Sequence, residues 1–449
     1  MIGYYFRLAF ASFRRTPGLG ILMVLAVAVG IGVCVVTLTY YHAISGNPIW
    51  WKGDQLYAVT LDNWDPTEPA DPNRPALPPD QVTYRDAQVI WQSDIPKRST
   101  IMYRGYGIIS GDGLNGALKP SPATTRITTA GFFPMFEVPF EYGQGWNDKA
   151  DTGPEPVMVL SHELNQKLFG GTNSVGRTIR WNDVPFRVVG VLKEWEPQPR
   201  YYDLSTGNFD SPEDLYLPFK WGETLNIGSD GSSNCWKIED ITTFKGFSQS
   251  ECVWLQAWVE LPNALARSRM QSFLDNYTSN ERKHGRFQRP QNNRLTDVDQ
   301  WLKDQKVVTS DNRVLVGLAF AFLAVCLINT VGLLLAKFLN AAPLSGLRRA
   351  LGASKRQLFL QHMVEVGTIA GAGALLGLGL GALGLAGIRA LFAMTSTSPH
   401  PSGVASLIHL NISSFVTAVS LAIVATVLCG LYPAWRVGRL QPASYLKNQ

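Results

Sequence analysis

The chain has 449 residues, 46% of them hydrophobic and only 17% charged. Its charge is laid out unevenly: Tyr41–Arg313 holds 28 Lys and Arg against 34 Asp and Glu, net −6, whereas the other 176 residues hold 12 basic residues and one acid, Glu365, net +11. Long uncharged apolar blocks beside that positive charge exclude a disordered chain, a simple secreted domain and a wholly soluble enzyme, and the overall +5 is no sign of nucleic-acid binding.

Residues 1–17 read as an amphipathic helix lying in a membrane interface. Arg7, Arg14 and Arg15 share one face by their seven- and eight-residue spacing, and Tyr4, Tyr5, Phe6, Phe10 and Phe13 supply apolar area. Pro17 turns the chain into the bilayer; a plain cytoplasmic extension of the span is the alternative. The first span, 18–40, is 23 residues without a charge. At about 1.5 Å per residue it reaches roughly 35 Å, enough for a hydrocarbon core of about 30 Å. A cleaved signal peptide fits less well, since the apolar run exceeds the usual length and Ala43-Ile44-Ser45 is a poor cleavage site.

Residues 41–313 form an acidic insert large enough for one or two α+β domains. A loop region rich in Pro, Asn, Trp and Gly is expected from about Gly46 to Arg74. Val157–Leu160 reads as a buried strand, Ser161 as the N-cap of a helix over His162–Phe169, and Gly170-Gly171 as its stop. Arg177–Trp181 and Phe186–Leu192 flank Asn182-Asp183 as a hairpin. A helix is expected near Asn263–Tyr277, with Leu265, Phe273 and Tyr277 near one face, and another from Thr296 to about Gln305. Cys235 and Cys252 are the insert's two cysteines; in an oxidising compartment a disulfide is the natural reading, worth roughly 3 kcal/mol, with two separate thiols as the alternative.

The second span, 314–336, contains Asn329, which can bond across a helix interface or to its own backbone. A basic segment, 337–365, leads to the third span, 366–388, where Gly373, Gly377 and Gly381 recur every four residues and lay a flat strip for close helix packing. Glu365 suits a helix N-terminus. A loop, 389–414, a fourth span, 415–432, and a basic tail, 433–449, complete the order. Cys34, Cys326 and Cys429 lie in spans, where thiols pack as small hydrophobes. The positive-inside rule puts Arg7, Arg14 and Arg15, the Lys337–Arg356 segment, and Arg436, Arg439 and Lys447 in the cytoplasm, with both termini. The insert is then outside. The fold class is an α-helical membrane protein with four transmembrane helices and a large α+β extracytoplasmic domain between the first two.

Catalytic signatures are missing. Gln166 stands where a His162-Glu163 zinc motif needs its second histidine, and no nucleophile elbow or Cys-x-x-Cys pair occurs. No Gly-Lys-Ser/Thr occurs either, so energy-driven work would need a separate ATPase subunit binding the ATP and magnesium. No cofactor, metal or catalytic residue is assigned to this chain, and it is expected not to be an enzyme.

Three segments together resemble the permease subunits of the MacB/FtsX-type (type VII) ABC transporters. They are Leu344-Ser-Gly-Leu-Arg-Arg-Ala-Leu-Gly-Ala-Ser354 with Gln357–Glu365; the tail Gly430-Leu-Tyr-Pro-Ala-Trp-Arg-Val-Gly-Arg-Leu-Gln-Pro442; and Leu168-Phe-Gly-Gly-Thr-Asn-Ser-Val-Gly-Arg-Thr-Ile-Arg180 with Phe186-Arg-Val-Val-Gly-Val-Leu192. The resemblance implies a permease that dimerises, binds an ATPase dimer beneath the bacterial inner membrane, and passes ATP-driven motion to its periplasmic domain. The implied work is efflux of a drug, peptide or lipid-linked molecule, with a periplasmic adaptor and outer-membrane duct as further partners. FtsX-like activation of a cell-wall hydrolase and lipoprotein release are the alternatives. ATPase coupling is expected at Leu347, Arg348, Arg349, Gly352 and Ser354, with the two arginines donating forked hydrogen bonds and Gly352 turning the chain. Holding topology or touching lipid headgroups is the plainer role for those arginines. The family's acid and its preceding base fall at Leu344 and Pro343 here, which suggests a second, non-identical permease that keeps the acid.

Overall fold

The computed structural model describes residues 2–113, 116–307, 310–341, 343, 347–349, 351–395 and 412–438. The chain divides into two compact units, residues 46–307 and a helical unit made of residues 1–45 and 308–449.

The first of these is built on one ten-stranded sheet: β1 (Leu56–Thr60), β2 (Arg98–Gly113), β3 (Gly116–Thr128), β4 (Phe140–Gly143), β5 (Val157–Leu160), β6 (Thr178–Trp181), β7 (Val184–Leu192), β8 (Leu215–Pro218), β9 (Gln256–Glu260) and β10 (Arg294–Asp297). Its order is β10-β1-β9-β2-β3-β8-β5-β7-β4, and β6 pairs with both β7 and the far end of β2, where Ile109 faces Trp181. β2, β3, β8, β5, β7 and β6 therefore close into a ring. The β6–β7 turn is sharp because Asn182 and Asp183 both take positive φ, 46° and 64°, a conformation that their short polar side chains tolerate.

Both faces of the sheet are covered. In β1, Tyr57 and Val59 enter one core with Trp181, Trp254, Met270 and Leu274, while Leu56 and Ala58 enter another with Phe132, Tyr202 and Trp258. Every residue of β1 is consequently buried, and this strand lies inside the stretch that composition marked as loop. The helix Ala264–Arg282 starts at Asn263, whose Oδ1 accepts from the Ala266 amide at 2.9 Å. It buries Met270, Leu274 and Thr278, with Phe273 and Tyr277 partly covered; Leu265, expected on that face, is 70% exposed. Thr296 belongs to β10 opposite Ala58, and the next helix runs Val298–Asp304 with Asp297 as its cap. Ser161 accepts from Leu164 N at the start of His162–Phe169, and Gly170 ends that helix in the left-handed region. His162 is half-exposed and lies 3.0 Å from Glu141. Cys235 and Cys252 are joined by a disulfide.

One cluster of fully buried charged side chains in this unit is formed by Arg126, Arg200, Asp203 and Glu213. Arg126 bonds Asp203 at 2.6 Å and also Glu213, which receives Arg200 at 3.2 Å. Burial would raise the Asp203 carboxyl, but the two guanidinium groups outweigh it and hold it at about 2.

The helical unit contains Ile2–Arg15 followed by four helices long and apolar enough to cross a membrane: Pro17–Ser45, Asn312–Asn340, Lys355–Leu391 and Phe415–Ala434. The first and third meet through small residues. A Cβ on Gly377 would stand 2.8 Å from Ala28 O, one on Gly373 2.7 Å from Val27, and one on Gly381 3.4 Å from Val35. These glycines face the first span and let the two backbones approach. Asn329 is exposed and packs into no interface within the described residues; its neighbour Thr330 is the buried polar group, donating to Cys326 O at 2.8 Å. Cys34, Cys326 and Cys429 are buried thiols in this bundle.

Candidate functional site

The site grows from two adjoining local motifs. Leu347–Arg349 is helical, and the Ala353 amide donates to Arg348 O at 3.0 Å while the Gly352 amide donates to Arg349 O at 3.1 Å. This pair of bonds is a Schellman stop, and it requires the positive φ of 105° that Gly352 supplies. Two residues later Ser354 and Gln357 cap the next helix reciprocally: Gln357 N donates to Ser354 Oγ at 3.3 Å, and Ser354 N donates to Gln357 Oε1 at 2.9 Å. The turn between the short helix and the third span is thereby specified bond by bond.

The helix that follows runs without interruption from Lys355 to Thr395. The third span and the last eleven residues of the basic segment are one element, where composition suggested separate ones. Glu365 accordingly sits well inside this helix rather than at its N-terminus, and it is 5% exposed. Its Oε1 accepts from Ser12 Oγ at 2.6 Å and lies 2.7 Å from Lys337 Nζ of the second span. The lysine contact is a close ion pair without hydrogen-bond alignment. His362, one turn earlier, is 4% exposed with its Nδ1 3.8 Å from Glu365 Oε2, and its ring lies 4.2 Å from that of Phe338. One carboxylate thus fastens the interfacial helix, the second span and the third span together.

Arg348 donates to Gln361 Oε1 at 2.8 Å, which ties the short helix to the third-span helix. Arg348 and Arg349 are both half-buried, while Leu347 is 57% and Leu351 81% exposed. The outward face of the short helix is therefore a pair of leucines at i and i+4 rather than the two arginines. Leu351, Lys337, His362 and Ser12 are the members that reading the sequence missed. The lone acid in a +11 region was the available signal, because a carboxylate within an apolar block needs a cation nearby. Leu344 and the tail beyond residue 438 lie outside the described residues, and Pro343 is exposed.

The family model for a MacB-like periplasmic core domain matches residues 21–246, half of the chain, and that for an FtsX-like permease C-terminal region matches 316–442. An uncharacterized ABC transporter permease, YvrN of Bacillus subtilis, is 21% identical over 71% of this chain and 68% of its own length. The pyoverdine export ATP-binding/permease protein PvdT of Pseudomonas syringae is 24% identical over 70% of this chain; the match spans 41% of that relative. Among solved structures, the periplasmic region of MacB from Actinobacillus actinomycetemcomitans matches 58% of this chain and 97% of its own, at 14% identity and a TM-score of 0.36.

Proposed function

The chain belongs to the ABC-transporter permeases that join a MacB-like periplasmic core domain to an FtsX-like permease region, and from that premise we propose that it couples ATP hydrolysis on a separate ATPase pair to motion of its periplasmic domain. It is a multi-pass membrane protein with four crossing helices. In this reading it sits in the bacterial inner membrane with both termini in the cytoplasm, pairs with a second permease copy, and drives efflux of a periplasmic drug, peptide or lipid-linked molecule. Magnesium and ATP belong to the partner. A non-identical second copy supplies the acid that Leu344 replaces here.

The observation that carries the reading is the short helix before the third span. It presents Leu347 and Leu351 outward and is joined to a 41-residue helix by a turn in which hydrogen bonds fix each step. An exposed leucine pair on a rigidly mounted helix suits the apolar groove of a partner subunit. Such a mount passes on force that a flexible loop would absorb.

The test is isolation of the full chain from native membranes in mild detergent, followed by reconstitution with whatever nucleotide hydrolase accompanies it. The double variant Leu347→Asp/Leu351→Asp should insert normally yet lose at least tenfold of the hydrolase's substrate-stimulated turnover. Undiminished stimulation in that variant, or a purified permease that never recruits a hydrolase, overturns the proposal. An adaptor in the same complex supports efflux, whereas a bound cell-wall hydrolase replaces efflux with signalling.

A further inference from the structure

A cavity of about 350 Å³ lies beside the Glu365 ion pair, between the interfacial helix, the end of the second span and the start of the third. Its wall includes Arg15, Lys337 and Arg348, with Glu365 as the one acid. That acid already holds Lys337 and Ser12, so the two arginines give the chamber a positive balance. His362 lines the same chamber, buried to 4%, and neither of its ring nitrogens has a hydrogen-bond partner among the described residues. A buried polar group without a partner is costly in a folded protein, and a histidine lining a cationic hollow can donate a ring N–H to an anion placed there.

A second cavity, about 400 Å³, shares Leu8, Arg348 and Gln361 with the first. Most of its remaining wall is apolar, including Tyr4, Tyr5, Leu351 and Leu358. Both volumes fall in the range of small-molecule sites, roughly 300–1,000 Å³. The ligand that matches a cationic polar chamber opening beside an apolar one is amphipathic and anionic at one end. Tyr4, Phe6 and Phe10 on the adjoining helix are more than half exposed, as residues that meet acyl chains are.

We infer that this paired cavity binds one anionic phospholipid of the inner leaflet, its phosphate held by Arg15, Arg348 and His362 and its acyl region laid along Tyr4, Tyr5 and Leu358. A phosphate offers several strong acceptors, and guanidinium groups meet it with forked donors. Because Arg348 also mounts the helix that carries Leu347 and Leu351, occupancy would set how firmly that helix is held. This regulatory consequence rests on the coupling proposed above; lipid binding itself does not.

The experiment uses the purified full chain without any ATPase, stripped in neutral detergent and titrated with phosphatidylglycerol or phosphatidylcholine, bound lipid being counted by native mass spectrometry. One phosphatidylglycerol is expected to be retained at least tenfold more tightly than phosphatidylcholine. His362→Leu and, separately, the rim variant Arg15→Gln should each reduce that preference at least fivefold; Arg15→Gln keeps the test decisive should the histidine variant misfold. Equal retention of both lipids, or an unchanged preference in Arg15→Gln, overturns the inference. So does displacement of the lipid by millimolar inorganic phosphate, which would mark a site for free phosphate. A chain that retains phosphatidylglycerol but recruits no hydrolase sinks the coupling proposal and leaves this one standing.

Discussion

Removing one partner of the Lys337–Glu365 pair should cost the helical unit far more than removing both. The side chains are 6% and 7% exposed with Nζ and Oε1 2.7 Å apart, so either one alone is a buried charge without a counter-ion. Breaking such a pair typically costs about 3–5 kcal/mol. An independent ceiling comes from neutralising the orphan. Taking the proton from an ordinary lysine at pH 7 costs about 4–5 kcal/mol, and adding one to an ordinary glutamate about 4. Glu365→Gln should therefore lower the unfolding free energy by about 3–4 kcal/mol, and Lys337→Met by a similar amount. The double variant carries neither charge, so its loss should fall at least ~2 kcal/mol short of the sum of the single losses.

Unfolding of the full chain in mixed micelles, followed to its midpoint for all four proteins, measures these values. Hydrogen exchange of Ile2–Arg15 provides a second readout, since Ser12 Oγ donates to Glu365 at 2.6 Å and the helix should loosen in Glu365→Gln. Single losses below about 1 kcal/mol, or a double variant that is simply additive, would show that the pair is solvated and that the described junction is not a buried lock.

Two further outcomes concern the unit spanning residues 46–307. Burial pushes the Asp151 carboxyl up to about 7, against the hydrogen bonds it accepts from Ala130 N at 2.6 Å and Trp146 Nε1 at 2.9 Å. The folded chain thus keeps a proton that the unfolded chain releases near pH 4. Its stabilisation is full below about pH 4 and is lost as the pH rises to about 7, a swing on the order of 4 kcal/mol. Denaturant midpoints between pH 4 and 8 should show Asp151→Asn lacking that decline, and parallel curves for the two proteins would refute it. Cys235→Ser with Cys252→Ser opens the loop between positions 17 apart and should cost about 3 kcal/mol, read as a lower unfolding midpoint that reductant reproduces in the natural chain.

What could be read from the sequence divides along a physical line. Elements whose signals are local were legible: the spans, because lipid demands uncharged runs; Ser161 and Gly170, because caps are set by one side chain or one φ; and Asn182-Asp183, because few residues tolerate two positive φ values in a row. β1 was hidden because burial on both faces erases alternation, leaving Leu56–Thr60 indistinguishable from any short mixed run. The β2–β3 hairpin was hidden because Gly105, Gly107, Pro120 and Pro122 imitate turn punctuation. Gly107 shows why a glycine belongs there: a Cβ would stand 2.3 Å from the Trp181 ring that closes the strand circuit. Thr296 was misplaced by two residues because the Asp297 cap follows a strand directly. The site was half legible. Gly352 and Ser354 announce their turn, but the partnership of Ser12, Lys337 and Glu365 spans 353 positions of chain and exists only after the helices pack.

That division bears on how coupling could work. A helix of 41 residues is about 60 Å long, while a bilayer with its headgroups measures about 40–45 Å. The Lys355–Thr395 helix therefore outreaches the membrane, and no proline interrupts it. A push on Leu351 meets first the Schellman bonds at Gly352, then the capping box at Ser354, and then this rod. Along the rod two different contacts restrain it. Midway, Gly377 brings its backbone close to Ala28 O of the first span, and the Val27 side chain seats against Gly373. Near its beginning, Glu365 accepts from Ser12 a hydrogen bond that is lost within an ångström or so of displacement, and it pairs with the buried Lys337, a contact whose breaking leaves buried charges apart. Separating the buried charges is the costlier of the two displacements. A small displacement is therefore felt first at Glu365, so under the proposed coupling the junction, more than the glycine strip, sets the threshold that motion of this helix must exceed.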